Sequence, residues 1–196
     1  RASAGEILLY ENEPIDALYH SASGGYTEDS ENVFAAAEPY LRAVESGLET
    51  GTSRLSGTVR LSYREFCDKV NKAYADAKLK PDRLSEQIAV ISRTESGRVK
   101  KIRLGGVQIT GKQFRYLIGL DSAMFTVTLT GKTVRLDTKG FGHGVGLSQT
   151  GANGMAEAGA DYREILLHYY TGVTIADWRT VARLQDALQE ALPETP

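Results

Sequence analysis

The sequence predicts an α+β fold in a single compact domain, with strand-rich hairpins early and helices late. Three observations predict it. Short apolar-alternating runs, broken by turn residues, fill much of the first two-thirds of the chain. Capped segments with helical periodicity follow in the last third. A hydrophobic fraction of 41% over 196 residues supplies enough apolar surface for a buried core.

Taken in order, Glu6 to Tyr10 alternates towards apolar residues, Glu11-Asn12-Glu13-Pro14 is a turn, and Ile15 to Ser21 returns as the second strand of a hairpin. Ser23-Gly24-Gly25 is a tight loop. Ser62-Tyr63-Arg64-Glu65 is a capping box, in which the serine hydroxyl and the glutamate side chain each satisfy a free backbone N–H at the helix start. Tyr63, Phe66, Cys67, Val70, Tyr74 and Ala77 then recur at helical spacing, and Pro81 marks the end of that helix. Gln87–Thr94 and Arg98–Leu104 form a hairpin around Glu95-Ser96-Gly97. Thr110 to Ile118 is a short helix, and Met124–Thr130 with Thr133–Asp137 form another hairpin around Gly131-Lys132. Ser148 to Glu157 is a helix stopped at Gly159. Asp161-Tyr162-Arg163-Glu164 caps the next helix, which stops at Gly172. A last amphipathic helix is predicted from about Asp177 to Leu192, with Trp178, Val181, Leu184, Leu188 and Leu192 on one face.

The formal net charge of -2 argues against general nucleic-acid binding, which needs a basic excess. Arg98, Lys100, Lys101 and Arg103 cluster, but they alternate with Val99, Ile102 and Leu104 as the solvated face of a strand does. The single cysteine, Cys67, forms neither an internal disulfide nor a thiolate cage, and its position on an apolar helix face makes it a small buried hydrophobe. No apolar run is long enough to span a bilayer, and no targeting segment is visible. The chain runs almost at once from Arg1 into a strand, as a piece of a longer protein would.

Two segments carry the candidate chemistry. In Tyr19-His20-Ser21-Ala22-Ser23-Gly24-Gly25-Tyr26-Thr27-Glu28, a strand delivers an imidazole, hydroxyls and a phenol onto a glycine turn. Sugar hydroxyls need both donors and acceptors, which these groups offer, although an ordinary polar turn has the same composition. In Gly140-Phe141-Gly142-His143-Gly144-Val145-Gly146-Leu147-Ser148-Gln149, glycine alternates with other residues and a helix follows at once. The segment lacks Gly-Lys-Ser/Thr and the dinucleotide spacing, so it is not a phosphate loop. Alternating glycine suggests close backbone packing around His143, and Ser148 is placed to cap the helix. His20 and His143 are expected to lie together on one wall of a polar groove.

The stretches Gly5–Tyr10, Tyr19-His20-Ser21, Gly24-Gly25, Thr27 and Pro39-Tyr40-Leu41, then Gly142–Gln149 with Gly151-Ala152, and finally Tyr169-Tyr170-Thr171-Gly172, resemble, in the same order, the carboxy-terminal part of the stage II sporulation protein D family, which includes LytB-type amidase enhancers. The resemblance covers residues 1–175 as the family domain and leaves 176–196 as a helical extension. It implies a lytic transglycosylase that cuts the bond between N-acetylmuramic acid and N-acetylglucosamine in glycan strands stripped of peptide, with a glutamic acid protonating the leaving oxygen. It implies substrate contacts from His20, Ser21, Ser23, Gly24, Gly25, Tyr26, Thr27, His143, Ser148 and Gln149. It also implies an extracytoplasmic location with a membrane anchor elsewhere in the parent protein. The partners it implies are glycan strands, and a cell-wall amidase or other engulfment proteins.

Three departures from the family pattern matter. The family's acidic residue lies in an alanine-rich helical segment upstream of Gly5, and neither Glu6, Glu28 nor Glu38 matches its motif, so no catalytic residue is assigned in this chain. Cysteines that hold a metal in some members are replaced here by residues such as Ala22, Ser23 and Tyr26, so neither metal nor cofactor is expected. The aromatic that usually follows the Ser-Gln pair is Thr150. An enzyme part without its acid, a non-catalytic glycan-binding module that enhances an amidase, and a structural domain of a sporulation assembly all fit these features.

Overall fold

The computed structural model describes residues 3–51 and 55–181. Its strands are β1 (Glu6–Tyr10), β2 (Glu13–Pro14), β3 (Tyr19–His20), β4 (Ser56–Ser62), β5 (Ile88–Arg93), β6 (Val99–Leu104), β7 (Val107–Thr110), β8 (Phe125–Thr130), β9 (Thr133–Lys139), β10 (Leu147–Ser148) and β11 (Thr174–Asp177). Its α-helices are α1 (Tyr63–Ala73), α2 (Leu84–Gln87), α3 (Gly111–Ile118), α4 (Gln149–Glu157) and α5 (Tyr162–Tyr169). The architecture is α+β.

The strands form four small sheets, ordered β11-β1-β2, β10-β3, β4-β9-β8 and β5-β6-β7. Two apolar clusters hold them. The larger one, with Phe66, Val70, Ile102, Phe114, Phe125 and Leu136, fills the space between α1, α3 and the two middle sheets. The smaller one joins Leu41 and Val145 to Ile165, Tyr169 and Tyr170 of the late helices. The segment 56–139 therefore builds one core, and the chain on either side of it builds the other. Where the chain comes back, the Gly140 N–H donates to Leu55 O at 2.9 Å, and the two glycine-rich segments are set side by side.

The predicted caps form. Ser62 and Glu65 make the capping box of α1, Asp161 and Glu164 that of α5, and the Ser148 hydroxyl accepts from Gly151 N–H at the start of α4. Cys67 is buried on the apolar face of α1.

Several boundaries differ from the sequence reading. Ile15–Ser21 does not return along β1. Glu13–Pro14 pairs there and the Ile15 N–H adds one bond to Leu8 O at 3.1 Å, after which the chain turns away, with Leu18 N–H donating to Asp16 O at 2.8 Å; the opposite edge of β1 is taken by β11. Tyr19–His20 instead pairs in parallel with Leu147–Ser148. The first long helix ends at Ala73 rather than Ala77. The Asn71 side chain bonds both the N–H and the C=O of Leu79 and draws the chain into a 3-10 turn over Ala75–Ala77. The helix predicted from Asp177 does not start there. Thr174–Asp177 is strand β11, because Glu6–Leu9 of β1 offers it a ladder, and Trp178–Thr180 is a 3-10 turn. The rest of that predicted helix lies outside the described residues. Arg98, read from the sequence as solvated, is 3% exposed.

Candidate functional site

The two glycine-rich segments form one structure. Ala22 and Phe141 exchange backbone hydrogen bonds, Glu28 N–H donates to Gly144 O at 2.8 Å, and Thr150 donates to Ser21 O from both its N–H and its hydroxyl. The alternation of glycine has a steric cause that two positions make plain. A Cβ on Gly146 would stand 2.1 Å from Leu18 O, and one on Gly144 would stand 2.3 Å from the Arg98 guanidinium. Both residues also have positive φ, +71° and +89°.

His20 and His143 meet, as expected, with ring centroids 5.7 Å apart. His20 is buried. Its Nδ1–H donates to Val145 O at 3.1 Å, which leaves Nε2 to accept from the Ser23 hydroxyl at 2.8 Å. Burial pushes the His20 pKa from 6.5 down to about 3, with the Arg98 and His143 charges adding to the effect and the Val145 carbonyl opposing it. His143 is half-buried. Its Nδ1 accepts from Val145 N–H at 3.1 Å, so the neutral ring carries its proton on Nε2. Burial lowers its pKa as well, and repulsion from Arg115, Arg98 and Lys112 adds to that, against a raising bond with the Tyr19 backbone. The edge of Phe34 closes one side of this ring, 5.6 Å between centroids.

These shifts carry a pH prediction. His20 is held neutral in the fold while the unfolded chain protonates near 6.5. Its contribution to stability is therefore complete above that pH and is lost as pH falls towards about 3. Between pH 7 and pH 5 the loss is about 2 kcal/mol. Urea unfolding at both pH values should show that slope in the wild type and a shallower one in His20→Gln. Equal slopes would mean that the imidazole is not held neutral.

Two carboxylates that the sequence did not single out as site residues organise the segments. Glu49 accepts from the N–H groups of Ser23 (2.6 Å), Gly24 (2.7 Å) and Gly25 (3.3 Å), and from the hydroxyls of Ser46 and Ser148. Burial alone would raise its pKa, but these donors outweigh burial and hold it below the usual range. Glu28, 1% exposed, accepts from Asp29 N–H, Asn32 Nδ2, Thr94 Oγ1 and Ser96 Oγ. Buried Arg98 binds Ser23 O, Tyr26 O and Ser96 Oγ, which ties β6 to the first segment. Glu49 sits in a loop without periodicity, so nothing local marked it.

The ten predicted contact residues separate by exposure. His20, Ser23, Thr27 and Ser148 are buried and hold the backbone, Thr27 through Val44 and Ser148 through Glu49. Tyr26 and Gln149 are exposed, and Ser21, Gly24, Gly25 and His143 are partly so. His143 opens onto a cleft of about 590 Å³, counting the space continuous with solvent, whose walls include Phe34, Lys112, Arg115 and Tyr116. Among the described residues, no group of three or more His, Cys, Asp or Glu side chains is placed to hold a metal ion.

No family model matches the chain. It is 39% identical over 173 residues to stage II sporulation protein D of Bacillus amyloliquefaciens, covering 88% of this chain and 48% of that protein. It is 35% identical over 176 residues to the Bacillus subtilis protein of the same name, covering 90% and 49%. The chain belongs to the stage II sporulation protein D family. It is also 28% identical over 223 residues to the amidase enhancer of Bacillus subtilis, covering 89% of this chain and 31% of that protein. The chain thus spans about half the length of the sporulation proteins it matches. Within this stage II sporulation protein D segment, no described helix is long and apolar enough to cross a membrane.

Proposed function

We propose that this chain forms the glycan-gripping part of an extracytoplasmic cell-wall protein that acts in sporulation or wall remodelling and is membrane-anchored elsewhere in its sequence. The observation that carries this is the joined glycine segments, which aim His143 at a cleft flanked by aromatic rings. Apolar sugar faces stack on rings such as Phe34 and Tyr116, and sugar hydroxyls bond polar side chains beside them. Exposed Tyr19, Tyr26 and Phe141 extend the aromatic surface along the same two segments. Gln149, Ser21 and the Gly24-Gly25 backbone supply further polar contacts, while His20, Ser23, Thr27 and Ser148 set the shape.

In the whole protein this grip serves a lytic transglycosylase that cleaves between N-acetylmuramic acid and N-acetylglucosamine of peptide-stripped strands. A general acid must present a proton to the leaving oxygen. Glu28 lines the cleft, but it is 1% exposed and already accepts from four donors, which suits a structural anchor better than an acid. The acid is assigned instead to sequence preceding this segment. The isolated 196-residue chain is expected to bind peptide-stripped glycan and to release no 1,6-anhydromuramyl products from it. Absence of binding would reject the grip, and robust product release would place the acid within this chain.

The similarity to an amidase enhancer favours a second reading, in which the grip recruits or stimulates a cell-wall amidase. Added chain should then accelerate amidase release of stem peptides from intact peptidoglycan. No change in that rate would leave the transglycosylase reading alone.

A further inference from the structure

The cleft has a charge that its chain does not. The protein carries a formal net charge of -2, yet the cleft walls hold Arg98, Lys100, Lys112 and Arg115 against one acidic residue, Glu28. Glu28 is saturated by its four donors and lies beside Arg98. No ion pair engages Lys100, Lys112 or Arg115 among the described residues.

Lys112 and Arg115 stand three residues apart on α3, a spacing that puts both side chains on one helix face. The Lys112 ammonium donates to Val33 O at 2.9 Å and lies 5.4 Å from the Phe34 ring centre, which leaves it two further N–H groups. The Arg115 Nε donates to Leu120 O at 3.2 Å and its guanidinium lies 5.4 Å from the Tyr116 ring centre. Its two terminal nitrogens donate to no acceptor among the described residues. These cations are held by carbonyls and aromatic faces, so their orientation is fixed while their charge is left uncompensated. The amino-terminal turn of α3 borders the same cleft and adds its positive end. The field is strong enough to contribute to the lowered pKa of His143.

We infer that Lys112 and Arg115 form a subsite for a carboxylate carried on a sugar, namely the free lactyl carboxylate of a muramic acid residue whose stem peptide has been removed. The inference rests on the glycan reading above and extends it to specificity. The rings of Phe34 and Tyr116 beside the two cations suit a pyranose with an anionic arm better than a small free anion. Attachment of a stem peptide converts that carboxylate to a neutral amide and adds bulk. The subsite therefore distinguishes a free carboxylate from its amide at the Lys112 and Arg115 side chains.

The test is calorimetric titration of the 196-residue chain with three ligands: peptide-stripped glycan fragments, the same fragments with their lactyl carboxylates converted to methyl amides, and a neutral N-acetylglucosamine hexamer. The stripped glycan should bind at least about tenfold more tightly than its amide, and that advantage should shrink as salt rises. Lys112→Gln/Arg115→Gln should bind stripped glycan and amide alike, with the amide affinity of wild type, while Lys101→Gln, an exposed β6 residue outside the cleft, should change neither. Arg115→Lys, which keeps the charge but not the fork, should lose part of the advantage. Equal wild-type affinity for stripped and amidated glycan overturns the subsite and leaves the glycan grip standing. Binding to none of the three overturns both. Competition by millimolar inorganic phosphate as strong as that by stripped glycan also overturns it, because the site would then be a general anion site. The wild-type ligand comparison decides the matter even if the double variant fails to fold.

Discussion

Replacing Glu49 by alanine is expected to lower the unfolding free energy by about 4 kcal/mol and to abolish glycan binding. One carboxylate accepts from three consecutive backbone N–H groups of the first segment, from Ser46, and from the Ser148 hydroxyl that caps α4. Ser23 and Ser148 have no exposure to solvent, so donors orphaned there cannot turn to water. The Tyr169 hydroxyl, 2.7 Å from Ser46 Oγ, extends the damage into the smaller apolar cluster. Glu49→Gln keeps one acceptor oxygen but turns an amide NH2 towards other donors, so about half the loss is expected. The carboxyl is held below its usual range in the fold, so its contribution is complete above the unfolded pKa and disappears as pH falls through the lower folded value. Glu49→Gln should lack that acid-dependent component. Urea denaturation with an unchanged m-value, together with glycan titration, checks both effects. Wild-type stability and binding in Glu49→Ala would show that the two segments hold together without it.

The second large effect is expected from Gly144→Ala. Gly144 has φ +89°, and an added methyl would lie 2.3 to 2.6 Å from three atoms of the Arg98 guanidinium. Arg98 cannot swing aside, because it is buried and donates to Ser23 O, Tyr26 O and Ser96 Oγ. Backbone strain and the forced shift of a buried charge together should cost about 3 kcal/mol or more. The shift also disturbs Ser23, and with it the His20 contact and the wall carrying His143. Thr150→Ala removes one hydroxyl bond to Ser21 O at 2.9 Å and should cost about 1 kcal/mol. Melting temperature and glycan affinity measured on both variants should therefore fall much further in Gly144→Ala. Parity between the two would make the glycine run a plain connector.

Much of the site was legible because its signals are local. Glycine at alternate positions announces a backbone that something else approaches closely, and a histidine between such glycines announces what is being positioned. The family resemblance rested on the same residues. What could not be read was the partner in each approach. Arg98 looked like one member of a solvated basic strand face, since its neighbours Lys100 and Lys101 are exposed and periodicity cannot separate a buried cation from its surface neighbours. Phe34, Lys112 and Arg115 belong to a turn and a short helix whose local pattern says nothing of a cleft.

The sequence alone determined the α+β class, the capped starts of α1, α4 and α5, the hairpin β8-β9, the buried Cys67 and the meeting of His20 with His143. Each of these rests on interactions within a few residues or on a backbone constraint that a glycine displays directly. Tertiary structure decided the rest. It paired Tyr19–His20 in parallel with Leu147–Ser148 and turned Thr174–Asp177 into a strand beside β1, because a ladder partner far along the chain outweighs local propensity. It also gave Glu49, Glu28 and Arg98 their roles, because a buried charge must find its partners wherever the fold brings them, and that choice is made between residues far apart in the sequence.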